Sequence, residues 1–168
     1  MSTDYTGPLN DIIEHAIRRI ALGTDTPEGP WSRDGMADDA VMYKNENPRL
    51  GIQFTVARLE YPDTQVLDPR VLRISPGATN ELHKHAHESV FVILEGHGEV
   101  RVGDRWTSVD RGSVAFVPRW IFHQTRNLSE TEDLVIIAIT DFGLTRAILG
   151  DYDQRTRRAT GGEDTLPG

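Results

Sequence analysis

Two periodicities divide this chain. Over residues 9–22, LNDIIEHAIRRIAL, the apolar positions Leu9, Ile12, Ile13, Ala16, Ile17 and Ile20 recur at three- and four-residue intervals, which predicts an amphipathic helix. Asn10 or Asp11 can cap its start and Gly23 its end. The stripe is expected to lie on the domain or on a partner subunit, with His15 beside it as a surface or edge residue. Residues 23–48 lose all periodicity and are rich in Gly, Pro, Asp and Asn, which predicts a long loop or arm, anchored by Trp31, Met42 and Tyr43. From about residue 50 the period falls to two. The runs GIQFTVARLEY, QVLDPRVLRIS, SVFVILEG, GEVRVGD, RWTSVD, SVAFVP, IFHQTRN and DLVIIAITDF are short, β-rich and separated by turn residues.

Eight or so short strands at this spacing predict an all-β antiparallel sandwich or barrel. No internal repeat is visible, so a duplicated architecture is not expected. The division that follows is an N-terminal helix and arm over 1–48, a barrel over 49–150 and a loose, polar, Gly-rich tail over 151–168. A length of 168 residues with 38% hydrophobic content suits one domain with a real core.

Charge narrows the partners. Eighteen Lys and Arg against 26 Asp and Glu give a net charge of −8. With no basic tract, neither nucleic acid nor an anionic membrane surface is an expected partner. The absence of cysteine removes disulfides, thiolate metal sites and cysteine nucleophiles together. The first residues, MSTDYTGPLNDIIEH, lack the basic flank and apolar run of a signal peptide. No 18-residue apolar stretch occurs. A soluble, cytoplasmic protein is expected.

The candidate chemistry sits in NELHKHAHESVFVILEGHGEV, residues 80–100, which holds four of the six histidines. His83, His85 and His87 alternate, so along a strand all three could share one face and build a metal site. The spacing alone leaves open which of them bind. Two longer patterns enclose these residues. One is Gly77, five residues, His83-Lys84-His85, then Ser89 and Gly96. The other is Gly112, five residues, Pro118-Arg119-Trp120, two residues, His123, three residues, Asn127. Together they resemble the two motifs of the cupin superfamily. That resemblance implies a double-stranded β-helix, a small jelly-roll barrel with a metal in its mouth, over roughly residues 50–148. It also implies that His83, His85 and His123 are the metal ligands.

Two departures from the cupin pattern matter. The first motif's Glu is Ser89 here, which implies a three-histidine site without a carboxylate. Glu88 stands one residue early and in a regular strand would face the other way, although a bulge could bring it in as a ligand or base. The second motif's central Gly is Trp120. The Pro-x-Trp-x-x-His variant is similar to that of gentisate-type ring-cleaving dioxygenases, cupins whose iron is held by three histidines. This implies Fe(II), with Zn, Mn, Ni and Cu also compatible with imidazole ligands. It implies a dioxygenase acting on a small aromatic or oxygen-rich substrate that binds the metal through two atoms, with dioxygen as co-substrate. The alternatives are a cupin lyase, isomerase or decarboxylase using the metal as a Lewis acid, and a non-catalytic small-molecule-binding cupin.

Around this centre, His87 and Glu88 are the expected acid–base residues, with Tyr43 and Tyr61 as further candidates for a base. Arg73, Phe91 and Trp120 are the expected substrate contacts, Arg73 as a carboxylate clamp. Gln124, Glu81 or Glu95 are candidates to orient the ligands' second ring nitrogens. Ser89, Phe91 and Ile93 are expected on the face of His85, and Ile121 and Thr125 on that of His123. Lys84 is expected to face away and His97 to lie on the surface. A homodimer is expected, from the resemblance.

Overall fold

The computed structural model describes residues 41–59, 66–149 and 157–158. The predicted helix over 9–22, with Trp31, Tyr61 and most of the tail, lies outside them. The strands are β1 (Val41–Asn47), β2 (Ile52–Arg58), β3 (Asp68–Ile74), β4 (Leu82–His83), β5 (Ser89–Glu95), β6 (His97–Val102), β7 (Arg105–Asp110), β8 (Val114–Val117), β9 (His123–Asn127), β10 (Leu134–Thr140) and β11 (Arg157–Arg158). One helix, α1 (Phe142–Leu149), follows β10. The eight β-rich runs of the sequence correspond to β2 through β10, with the histidine run supplying β4 and β5.

The strands form two antiparallel sheets. One has the order β1-β2-β3-β10-β5-β8 and the other β11-β4-β9-β6-β7. After β3 the chain crosses back and forth between the two sheets, interrupted by the β6–β7 hairpin, as in a jelly roll. Strand alternation accounts for the core. Phe54 and Ile52 of β2, Leu72 and Ile74 of β3, Phe91 and Ile93 of β5, and Ile136 and Ala138 of β10 all point inward and are buried against Val100, Val109 and Val117.

Three local features depart from the sequence expectation. Val41–Asn47, read as the end of an arm, is a strand paired antiparallel with β2. Tyr43 there packs on Phe54, with ring centroids 5.6 Å apart, so β2's hydrogen-bonding edge and aromatic core residue order a segment whose composition resembles a loop. Met42 points outward and is exposed. α1 was not predicted, because its eight residues are too few to establish a period. Among the described residues, no helix is long and apolar enough to cross a membrane.

The turns that place the motifs rely on positive φ. Gly96 has φ 78°, and a Cβ there would lie 2.5 Å from the carbonyl oxygen of Asp133, so both conformation and space require glycine. Among the described residues, Trp120 is the non-glycine residue at positive φ, at 58°. It adopts the left-handed conformation at the point where the cupin pattern carries glycine, a strain of about 1–2 kcal/mol.

Candidate metal centre

β4 and β9 pair at a single position, His83 opposite His123. This cross-strand register brings together two residues far apart in sequence, with ring centroids 4.2 Å apart. Beyond β4 the chain leaves the strand and bends at Ala86 and His87. His85 sits on this irregular stretch, its ring 5.4 Å from that of His83 and 4.6 Å from that of His123. One ring nitrogen from each of the three lies within 4.8 Å of the other two.

The second nitrogen of each ring is fixed in the same way. His83 Nδ1 hydrogen-bonds to the carbonyl of Glu81 at 2.9 Å, His85 Nδ1 to that of His87 at 2.9 Å and His123 Nδ1 to that of Ile121 at 3.0 Å. A carbonyl only accepts, so each Nδ1 carries the proton and donates, which leaves the lone pair on Nε2. Three neutral imidazoles with their Nε2 lone pairs clustered fit a divalent cation. The orienting groups are main-chain carbonyls, two residues from their histidine in every case, and not the side chains proposed from sequence. Gln124 donates to the carbonyl of Asn80, Glu95 is exposed, and Glu81 contributes its backbone.

The stretch from 85 to 88 is braced from outside the barrel. Trp120 N–H donates to the carbonyl of His85 at 2.8 Å, and Arg119 Nε to that of Ala86 at 3.0 Å. Asp141 accepts from Glu88 N–H at 2.7 Å and pairs with Arg119. Trp120 therefore supports the site through its main chain. Its indole is 49% exposed and lies outside the pocket, contrary to the expected substrate contact. Glu88 is likewise excluded from the pocket: its carboxylate is exposed, 3.9 Å from Arg119. The bend at 86–87 provides no bulge that would turn it inward.

The three rings open on a pocket of about 70 Å³, several times what one water needs. Ser89 and Phe91 of β5 line it as strand parity predicts, together with Phe54, Val56, Leu72, Glu81 and Thr140. His87 lines it too, but as a neighbour of a ligand. Its buried ring stacks on that of His85 at 3.5 Å with a 10° interplanar angle, and its other flank meets Phe142 of α1 edge-on. Ile121, expected on the face of His123, is exposed, Thr125 is fully buried, and neither is in the lining. Lys84 lies over the Phe122 ring and His97 is exposed, both as expected.

The guanidinium in the pocket is Arg70, not Arg73. Residues 70, 72 and 74 of β3 face inward, and Arg73 is on the outer side, half-buried. Arg70 is 9% exposed. Its Nε and Nη2 reach Asp68 Oδ2 at 3.0 and 2.6 Å, and its Cζ lies 4.8 Å over the Phe142 ring. Arg58 shares the same carboxylate, at 3.0 and 3.3 Å. Two cations on one anion leave a net positive corner. The lining also includes the buried Glu81, whose Oε1 accepts from Tyr43 Oη at 2.5 Å and Asn45 Nδ2 at 2.6 Å. Tyr43 is thus a donor to Glu81. Sequence reasoning singled out Arg73 on this run and passed over Arg70, although the parity of Leu72 and Ile74 identifies it.

Known proteins give the same assignment. Residues 70–140 match the family model described as a cupin domain. The chain is 32% identical over 66 residues to an uncharacterized protein of Streptomyces coelicolor, covering 39% of this chain and 61% of that one. It is 25% identical over 80 residues to a 1-hydroxy-2-naphthoate 1,2-dioxygenase of Nocardioides sp., covering 48% of this chain and 21% of that one. The chain thus spans less than two thirds of the length of either curated relative. A cupin-2 domain protein of Rhodospirillum rubrum superposes with a TM-score of 0.56 at 20% identity, covering 69% of this chain and 78% of that chain. The two-sheet barrel around the three clustered histidines has the cupin fold, and residues 70–140 match the cupin-domain family model.

Proposed function

We propose that this chain is a metal-dependent cupin dioxygenase that uses Fe(II) and acts on a small aromatic or oxygen-rich anion able to chelate the metal through two oxygens. The observation that carries the proposal is the donor set. Three neutral histidines, each held by a main-chain carbonyl and without a carboxylate at position 89, leave the full dipositive charge of the ion for an anionic guest. They also leave coordination positions open. When bound, Fe(II) supplies a Lewis-acidic, redox-active centre at which substrate and dioxygen meet.

The protein's own contribution is orientation and exclusion of water. Arg70 receives a substrate carboxylate with a guanidinium already held by Asp68. Phe54, Val56, Leu72 and Phe91 give the ring an apolar wall. His87 keeps His85 in place through both ring stacking and its carbonyl. The similarity to a 1-hydroxy-2-naphthoate 1,2-dioxygenase, an enzyme whose named substrate is a hydroxy acid, supports the same reading.

Metal analysis of the purified protein, then anaerobic titration with 2-hydroxybenzoate and catechol, then oxygen uptake, tests the proposal. Iron, a substrate-induced absorption band and stoichiometric oxygen consumption are expected. Zinc or nickel without oxygen uptake would replace the dioxygenase with a Lewis-acid lyase, isomerase or decarboxylase, for which Glu81 is the buried carboxylate at hand. Binding without turnover would make the protein a small-molecule sensor.

A further inference from the structure

The junction between β10 and α1 touches both halves of the site. Thr140, the last residue of β10, lines the pocket. Its hydroxyl donates to the carbonyl of Asp68 at 3.2 Å and accepts from Phe142 N–H at 3.3 Å. Asp141 braces the 85–88 bend through Glu88 N–H and Arg119. Phe142 packs on the same bend. Its side chain is buried with Ala86. Its ring meets that of His87 at 83°, with centroids 5.5 Å apart, and its face carries the Arg70 guanidinium at 4.8 Å. Phe142 is not itself in the pocket lining.

Two lines of contact meet in this one ring. The first runs to the metal ligands. Phe142 fixes the His87 ring, and His87 supports His85 by stacking at 3.5 Å and by a carbonyl 2.9 Å from His85 Nδ1. The second runs to the anion site. Asp68 holds one edge of the Arg70 guanidinium through Nε and Nη2, and the Phe142 face holds its plane. An edge and a plane together define an orientation, so the remaining N–H donors are aimed before a ligand arrives.

We infer that Phe142 is a positioning residue shared by the metal trio and the anion site. It acts on the metal through His87 and on a substrate carboxylate through Arg70, and touches neither guest itself. The second half rests on the reading of Arg70 as the carboxylate site. Both contacts are buried, where a cation over an aromatic face is worth about 3- to 30-fold in affinity. The His87 contact is one step further from the ion than an outer-shell partner, whose loss costs about 10- to 100-fold, so its share is smaller, about 3- to 10-fold.

Two titrations of the full chain test the inference: Co(II) against a chromophoric chelator, and 2-hydroxybenzoate against the Co(II)-saturated protein. Phe142→Leu should weaken Co(II) binding by about 3- to 10-fold and 2-hydroxybenzoate binding by about 3- to 30-fold. Double-mutant cycles separate positioning from general loosening of the fold. In a His87→Leu background the Phe142 substitution should no longer change Co(II) affinity. In an Arg70→Met background it should no longer change 2-hydroxybenzoate affinity. Phe142→Met, which also lacks the ring, carries the same tests should the leucine variant fold poorly. Unchanged affinities in the single variant, or losses of the same size in the single and double backgrounds, would overturn the inference. Failure of the Co(II)-saturated wild-type chain to bind 2-hydroxybenzoate would bring down the anion-site reading and this inference together. Binding without oxygen uptake by the iron-loaded chain would bring down the dioxygenase reading alone.

Discussion

Replacing Arg70 by Met separates the two roles of this side chain. The substitution keeps length and apolar contact with Phe142 and removes the guanidinium. For stability, Asp68 loses two contacts, at 3.0 and 2.6 Å, but keeps those of Arg58 at 3.0 and 3.3 Å. Its carboxylate is therefore not stranded. The cost falls below the roughly 3–5 kcal/mol of a buried pair broken with no remaining partner, at about 1–2 kcal/mol. A fall in Tm of a few degrees is expected. For binding, a guanidinium–carboxylate contact in a shielded pocket contributes about 1.5–3 kcal/mol, so affinity for a carboxylate ligand should drop roughly 10- to 150-fold. The assay is anaerobic titration of the iron-loaded variant with 2-hydroxybenzoate and, in parallel, catechol, which chelates without a carboxylate. Only the first should weaken. Arg73→Met, on the outer side of β3, should change neither. Unaltered 2-hydroxybenzoate affinity in the Arg70 variant, equal loss for both ligands, or loss in the Arg73 variant would refute this assignment of the anion site.

His85→Ala or His123→Ala removes one of three donors and should lower metal affinity by more than about 100-fold, since loss of an outer-shell partner alone costs about 10- to 100-fold; competition with a chromophoric chelator measures it. Ser89→Glu places a carboxylate at a buried position lining the pocket. It should tighten metal binding while weakening anionic substrates, and isothermal titration of both reads the two signs. Gly96→Ala meets a carbonyl at 2.5 Å as well as positive φ, whereas Gly112→Ala meets positive φ with nothing within 4 Å. The first should destabilise by more than about 2 kcal/mol and the second by about 1 kcal/mol; urea titrations that give equal losses would contradict the packing at Gly96. Chelator treatment of the iron-loaded protein should lower Tm in proportion to the logarithm of the metal excess, and calorimetry follows it.

The strands from β2 to β10 were legible because half-buried strands alternate and their turns carry Gly, Asp and Pro. The three clustered histidines were legible because two spacings agreed on them. What escaped the sequence was direction. His87 and Glu88 follow a bend, so simple alternation from His85 no longer applies. One became a stacking neighbour and the other part of an external brace with Arg119 and Asp141. Arg70 and Arg73 are three apart on one strand and chemically identical, and only the inward parity of Leu72 and Ile74 separates them. β1 was hidden by composition, because VMYKNEN owes its strand to the edge of β2 and to the Tyr43–Phe54 contact. The orienting carbonyls left no trace in the residue types at all.

That last point bears on how such a site can change over time. A substitution can delete a side chain but not a peptide oxygen, so the aim of the three rings survives drift at positions 81, 87 and 121 as long as the backbone path is kept. The lining at 70, 89 and 91 is free to vary around a fixed trio, and one barrel can explore new guests without first relearning how to hold its ion.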